Sequence, residues 1–175
     1  MTIYSFWIFD RHCECIYHQD FKRPGRRLRP GTSGSTGAAS ATSGSTGGPA
    51  RTPQDVPLSV SDDAKLIFGA IFSIRNMTTK LSGQKESFFS YRTSKYKLHY
   101  FETQTSLKFV MITDVTVDGP TVVRPILEQI YAGLYVEYVV KNPLCPVEHG
   151  QGNGVGNELF VMGLERFLRP LAIFE

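Results

Sequence analysis

TIYSFWIF, residues 2–9, is apolar or aromatic on both of its alternating faces. Successive side chains of a strand point to opposite sides of the sheet, so a strand with one wet face alternates apolar with polar residues. This run does not alternate, and is therefore expected to be covered on both sides. That expectation organises the rest of the chain.

DRHC supplies a turn, and CECIYHQDF (13–21) reads as the return strand of a hairpin. Farther along, SFFSYR (87–92), KYKLHYFET (95–103) and LKFVMITDV (107–115) are separated by the short turns RTS and TQTS. Strands joined so closely form an antiparallel meander. DDAKLIFGAIFSIRNMTTKL (62–81) has helical punctuation: Ser59 or Ser61 as a cap, Asp62 and Asp63 in the first turn, Ser82-Gly83 at the end. VDGPT leads into a long helix at about 121–141, with Pro125 in or near its first turn, and NPLCP stops it. ELFVMGLERFLR (158–169) is a last helix closed by Pro170. The order ββαβββαα predicts a single α/β (α+β) domain over 1–175. Its expected architecture is a five-stranded antiparallel sheet with one helix on one face and two on the other.

The 175 residues are 41% hydrophobic and 12% aromatic, enough for a sizeable core. The net charge of +3 is unevenly spread. Residues 22–57 hold Lys22, Arg23, Arg26, Arg27, Arg29 and Arg51 against the single acid Asp55, which leaves 13 bases and 15 acids elsewhere. The body is thus not a basic nucleic-acid reader. KRPGRRLRP and GTSGSTGAASATSGSTGGPA, with two copies of SGSTG, read as a disordered, low-complexity insertion within the domain. Its bases are expected either to solvate the loop or to touch an anionic membrane surface. Three cysteines are too few for a disulfide framework, and the opening apolar run is far short of a membrane span, so a reducing cytosolic setting is expected.

No catalytic motif is found. The sequence lacks a G-x-x-x-x-G-K-[ST] phosphate loop, H-E-x-x-H and G-x-S-x-G. In GQGNGVGN the third glycine of a dinucleotide fingerprint would fall on Val155 or Asn157. Cys13 and Cys15 project from one face of a strand beside His12, and only Cys145 and His149 could join them as metal ligands. Buried structural cysteine is the simpler reading. His18 and His99 lie on strands without a partner motif. No cofactor, metal or catalytic residue is expected.

The first helix raises a different question. On a wheel of about 100° per residue with Ile67 at zero, Ile71, Ile74, Ala70, Thr78 and Leu81 cluster within about 60° and form the expected core stripe. Met77 and Leu66 extend it on one side; Phe68 and Phe72 overhang it on the other, with Arg75 between Phe68 and the core. The apolar arc of roughly 240° exceeds what packing on one core requires. Either a loop or neighbouring helix of the same domain covers the two phenylalanines, or, as the sharper expectation, Phe68, Phe72 and Arg75 meet a partner chain. In the long helix Ile126, Leu127, Ile130 and Leu134 form a stripe, with Tyr131, Tyr135 and Tyr138 beside it as a second partner edge. Val136, Val139 and Val140 fall near its far side.

These blocks also carry a resemblance. DAKLIFGAIFSIR (63–75), SKYKLHYFET (94–103), IYAGLYVEYVVKNPLCP (130–146) and the opening IYSFWIFDRHC (3–13) resemble the smallest longin-type, sedlin-like core subunits of the TRAPP vesicle-tethering complex. The resemblance implies a longin (profilin-like) fold and a cytosolic complex acting peripherally at the endoplasmic reticulum and cis-Golgi. It implies that the core subunits together form a guanine nucleotide exchange factor for a Rab-type GTPase, none being an enzyme alone. It implies pairing with a second longin-type subunit and a palmitoylated-type subunit, and a first helix (63–75) that helps form the GTPase-facing surface. The 22–57 insertion departs from the shorter connections of that family. A stand-alone longin adaptor or SNARE-binding regulator is the alternative; a cysteine- or metal-dependent enzyme would need Cys13, Cys15 and Cys145 to converge, and a profilin-like actin binder rests on fold analogy alone.

Overall fold

The structure is a computed structural model that describes residues 2–21, 60–82, 88–146, 149 and 154–171. The 22–57 insertion, with its basic cluster and SGSTG copies, lies outside the described residues.

The elements are strands β1 (Ile3–Phe9) and β2 (Cys15–Asp20), helix α1 (Val60–Ser82), strands β3 (Ser90–Arg92), β4 (Lys97–Glu102) and β5 (Lys108–Thr113), a long helix α2 (119–140) and helix α3 (Glu158–Leu168). The order is the one predicted. The strands form one sheet, β2-β1-β5-β4-β3, in which every neighbouring pair is antiparallel. β1 sits between β2 and β5, with Trp7 opposite His18 on one side and Val110 on the other. Phe6 to Phe9 are all essentially inaccessible, so this strand is covered on both faces.

The two faces have separate cores. Trp7, Phe9, Leu98, Tyr100 and Val110 meet Ala64 and Ile71 of α1, with Ile67, Phe68 and Ile74 packed at the margin. Phe6, Ile8, Phe109 and Met111 meet Ile126, Leu127, Ile130, Tyr135 and Val139 of α2 and Phe160, Leu164 and Leu168 of α3. One helix therefore covers one face and two cover the other. Lys108, buried although charged, joins the two turns at one end of the sheet: its Nζ donates to the carbonyls of Asp10 (3.2 Å) and Ser106 (2.9 Å).

The long helix begins earlier than predicted and winds differently. It runs through a π-helical segment Gly119–Val123, an α segment Arg124–Gln129 and a second π-helical segment Ile130–Val140. Pro120 occupies its first turn, and Pro125, which has no N–H to give, sits where the wide turn changes to the α segment. Gly119 is required by close approach: a Cβ there would lie 2.8 Å from Nδ1 of His99. His99 is buried on β4, its Nε2 2.8 Å from Oγ1 of Thr113. That hydroxyl donates to the carbonyl of Asp114, so it accepts from the imidazole and leaves Nδ1 without a partner. Burial first, and repulsion from Lys97 second, push the His99 pKa down to about 4.

Candidate interaction surface

The described residues contain no group of three or more His, Cys, Asp or Glu side chains placed to hold a metal. Cys13 is exposed, and Cys15 is held by burial with its pKa pushed up to about 11. Cys145 lies 3.7 Å from Nε2 of His149, far along the chain from both, and burial raises its pKa as well. A thiol whose pKa is raised is mostly protonated near neutral pH and is a poor nucleophile. The features that call for a partner are apolar.

Helix α1 carries more of them than its core uses. Its buried positions are Ala64 and Ile71, flanked by half-buried Ile67, Phe68, Ile74 and Thr78. The contact stripe is therefore centred roughly 40° from Ile67, toward the Phe68 side. This corrects the wheel. Leu66, Ala70, Met77 and Leu81, which it placed in or beside the core stripe, face outward; Leu66 is 61% exposed, Met77 58% and Leu81 80%. They recur at helical spacing along one flank. A wheel gives the width of an apolar arc but not which edge of it meets the sheet, and here the sheet meets the Phe68 edge.

The other flank divides. Phe68 is half-buried, its ring 5.7 Å from that of Phe9 and 6.2 Å from that of Phe72. Phe72 itself is 56% exposed. Arg75 is engaged within the chain: its guanidinium forms an ion pair with Glu102 on β4 at 3.1 Å. The same carboxylate accepts from the Tyr100 hydroxyl at 2.9 Å. This polar link fixes α1 to the sheet beside its narrow apolar contact.

The tyrosines of α2 are also redistributed. Tyr135 is buried, with edge-to-face contacts to Phe109 (5.7 Å) and Phe160 (6.0 Å), and burial pushes its pKa up to about 12. It belongs to the core and not, as the sequence predicts, to a partner edge. Val139, assigned to the far side, is buried too, and Leu134 is only half-buried. The cause is the winding. Bonds that reach five residues back advance the chain by roughly 80° per residue instead of 100°, which brings Tyr135 and Val139 around to the side of Ile130. Tyr131 and Tyr138 stay half-buried at the margin, Tyr138 against Gly163 of α3, whose Cβ would lie 3.4 Å from the ring. Val140 (62% exposed), Leu159 and Met162 (61% and 67%) remain uncovered on this helical layer. Val140 thus lies on the outer side, where the sequence places it; Leu159 and Met162 carry no signal in the sequence, because single apolar residues on a helix surface are ordinary.

A five-stranded antiparallel sheet in the order β2-β1-β5-β4-β3, with one helix on one face and two on the other, is a longin-like α/β fold. Comparison with known proteins agrees. The Sybindin-like family matches residues 3–171, and the chain belongs to that family. It is 40% identical over 178 residues to the transport protein particle subunit bet5 of Schizosaccharomyces pombe, covering 99% of this chain and 100% of that one. It is 36% identical over 176 residues to the human trafficking protein particle complex subunit 1, covering 99% and 97%. The trafficking protein particle complex subunit BET5 of Saccharomyces cerevisiae is 35% identical over 182 residues, with 98% of each chain covered.

Proposed function

We propose that this chain is a core, non-catalytic subunit of a TRAPP vesicle-tethering complex. The observation that carries the reading is the end-to-end similarity to named particle subunits from two yeasts and from human, at 35–40% identity. The exposed flank of α1 supports it, since Leu66, Met77 and Leu81 on one side and Phe72 on the other leave apolar area that a partner can bury. The half-buried Phe68, Tyr131 and Tyr138 stand at the rims of these surfaces; Arg75 acts by holding α1 in place.

In this role the chain pairs with a second longin-type subunit and a palmitoylated-type subunit, and contributes α1 to a surface facing a Rab-type GTPase. An assembly that binds the nucleotide-free GTPase more tightly than the loaded form speeds nucleotide release by differential affinity. No bond is made or broken by the exchange factor, so the subunit needs shape and apolar area instead of an acid, a base or a metal. The complex acts peripherally at the endoplasmic reticulum and cis-Golgi; no helix among the described residues is long and apolar enough to cross a membrane.

Affinity purification of the tagged chain, followed by mass spectrometry and a GDP-release assay on Rab-type GTPases, tests the proposal. A stable assembly of small longin-type and related subunits that accelerates release is the expected result. Recovery of the chain alone, or of an assembly without effect on any GTPase, would overturn it.

A further inference from the structure

Helix α2 ends at Val140, where the N–H of Lys141 closes it on the carbonyl of Val136 at 2.9 Å. The chain then reverses through NPLC (142–145). The N–H of Cys145 donates to the carbonyl of Asn142 at 3.1 Å, and Asn before Pro143 suits a tight turn of this kind. A second bond tightens it: the N–H of Leu144 donates to Oδ1 of Asn142 at 3.0 Å. Cys145 packs half-buried against the core of α2 and α3 and lies 3.7 Å from Nε2 of the buried His149. The turn is thus held at both ends. Leu144 stands at its tip, 90% exposed, more than any other large apolar side chain among the described residues.

A single exposed leucine is ordinary. What sets this one apart is what its turn withholds. Pro143 and Pro146 have no N–H, and the N–H groups of Leu144 and Cys145 are both taken by Asn142. From 143 to 146 no backbone donor is left over. Strand addition to a partner needs such donors, and so does a loop that cradles a phosphate. Lys141, the base next to the turn in sequence, is paired with Glu137 and is not offered to an anionic surface. What the turn presents is a convex apolar side chain on a fixed backbone.

We propose that Leu144 is an anchor that seats in a concave apolar pocket on another protein subunit of the assembly. The inference rests on the reading of this chain as a subunit. It adds a contact at the end of α2, which lies on the opposite face of the sheet from α1. A side chain already positioned by its turn loses less freedom on binding, so a small contact can still be a specific one.

The test uses full-length variants and the partner subunits that co-purify with the tagged parent chain, released from it and immobilised. Leu144→Asp is expected to bind about 10- to 100-fold more weakly, as the loss of one buried leucine implies, with an unchanged melt. Leu144→Met keeps the apolar volume and is expected to bind as the parent does. Asn142→Ala leaves the leucine but loosens the turn, and is expected to bind about 2- to 10-fold more weakly. Undiminished binding of Leu144→Asp would overturn the anchor. So would a melt lowered by more than about 10 °C, since the side chain would then be covered within the chain. Asn142→Ala that binds as the parent does would overturn the role of the turn. Vesicles containing phosphatidylserine are the control: binding by the parent that Leu144→Asp loses would set the residue against lipid instead of a protein pocket. Recovery of the parent chain alone overturns the subunit reading and this inference together. A stable assembly that tolerates Leu144→Asp overturns this inference only.

Discussion

Leu66→Asp combined with Met77→Asp separates a partner surface from a core. The two side chains are 61% and 58% exposed. Full burial of such a side chain contributes about 1.5–3 kcal/mol, so the area still open on each is worth roughly 1–2 kcal/mol to a partner that covers it. The pair then accounts for about 2–4 kcal/mol, a loss of roughly 30- to 700-fold in affinity, and an aspartate forced against an apolar partner adds to that loss. Folding should scarcely notice, because surface substitutions away from caps and cores cost about 0.5 kcal/mol each. For a chain of this size that shifts Tm by less than about 4 °C. Thermal melts followed by circular dichroism, with biolayer interferometry against the co-purified partner assembly, read both quantities. A melt lowered by more than about 10 °C would show that this flank is covered within the chain. Undiminished binding would show that partners use another face.

Tyr135→Ala should behave oppositely, costing about 3–5 kcal/mol in urea denaturation because it removes the ring wedged between Phe109 and Phe160; a stable variant that merely loses partners would restore the tyrosine to the interface. Gly119→Ala should cost about 1–3 kcal/mol, since the added methyl meets His99 at 2.8 Å, and His99→Ala in the same chain should recover part of that cost. His99 also sets an acid limb. Its folded pKa of about 4 lies below the ordinary 6.5, so its contribution is full above about pH 6.5 and is lost as pH falls from there toward 4. The loss reaches about 3 kcal/mol at most. Denaturation at pH 7 and pH 4.5 should show this dependence in the parent and a flatter one in His99→Phe; identical slopes would refute the assignment.

How much of this could be read from the chain depends on the residue. TIYSFWIF announces a doubly covered strand because from Ile3 to Phe9 only Ser5 is neither aliphatic nor aromatic, and Ser5 is satisfied locally by Nε1 of Trp7 at 2.9 Å. From that strand and the meander the layer order followed. Helix α1 was legible as a helix with too much apolar surface, but its orientation was not. Phe68 lies about 100° from Ile67 and Leu66 about as far the other way, and only the shape of the sheet around Phe9 decides which one turns inward. In α2 the assumption of uniform winding failed. Nothing in IYAGLYVEYVV marks a π-helical segment, whose bonds are chosen by how the helix fits the sheet and α3. That fit moved Tyr135 from the surface to the core. Arg75 had an ambiguity of its own: an arginine beside an apolar flank serves a partner or its own sheet equally well until Glu102 is seen opposite.

Methionine oxidation footprinting compares the buried and exposed sides of this account in one experiment. Met77 is 58% exposed on the proposed partner flank of α1, whereas Met111 is fully buried in β5 and serves as the internal reference. The chain alone and the chain within its native assembly would be treated briefly with peroxide and the sulfoxide at each position quantified. Met77 should oxidise readily in the free chain and be protected in the assembly, with Met111 protected in both. Equal oxidation of Met77 in the two states would contradict the claim that this flank of α1 is where the subunit meets its partners.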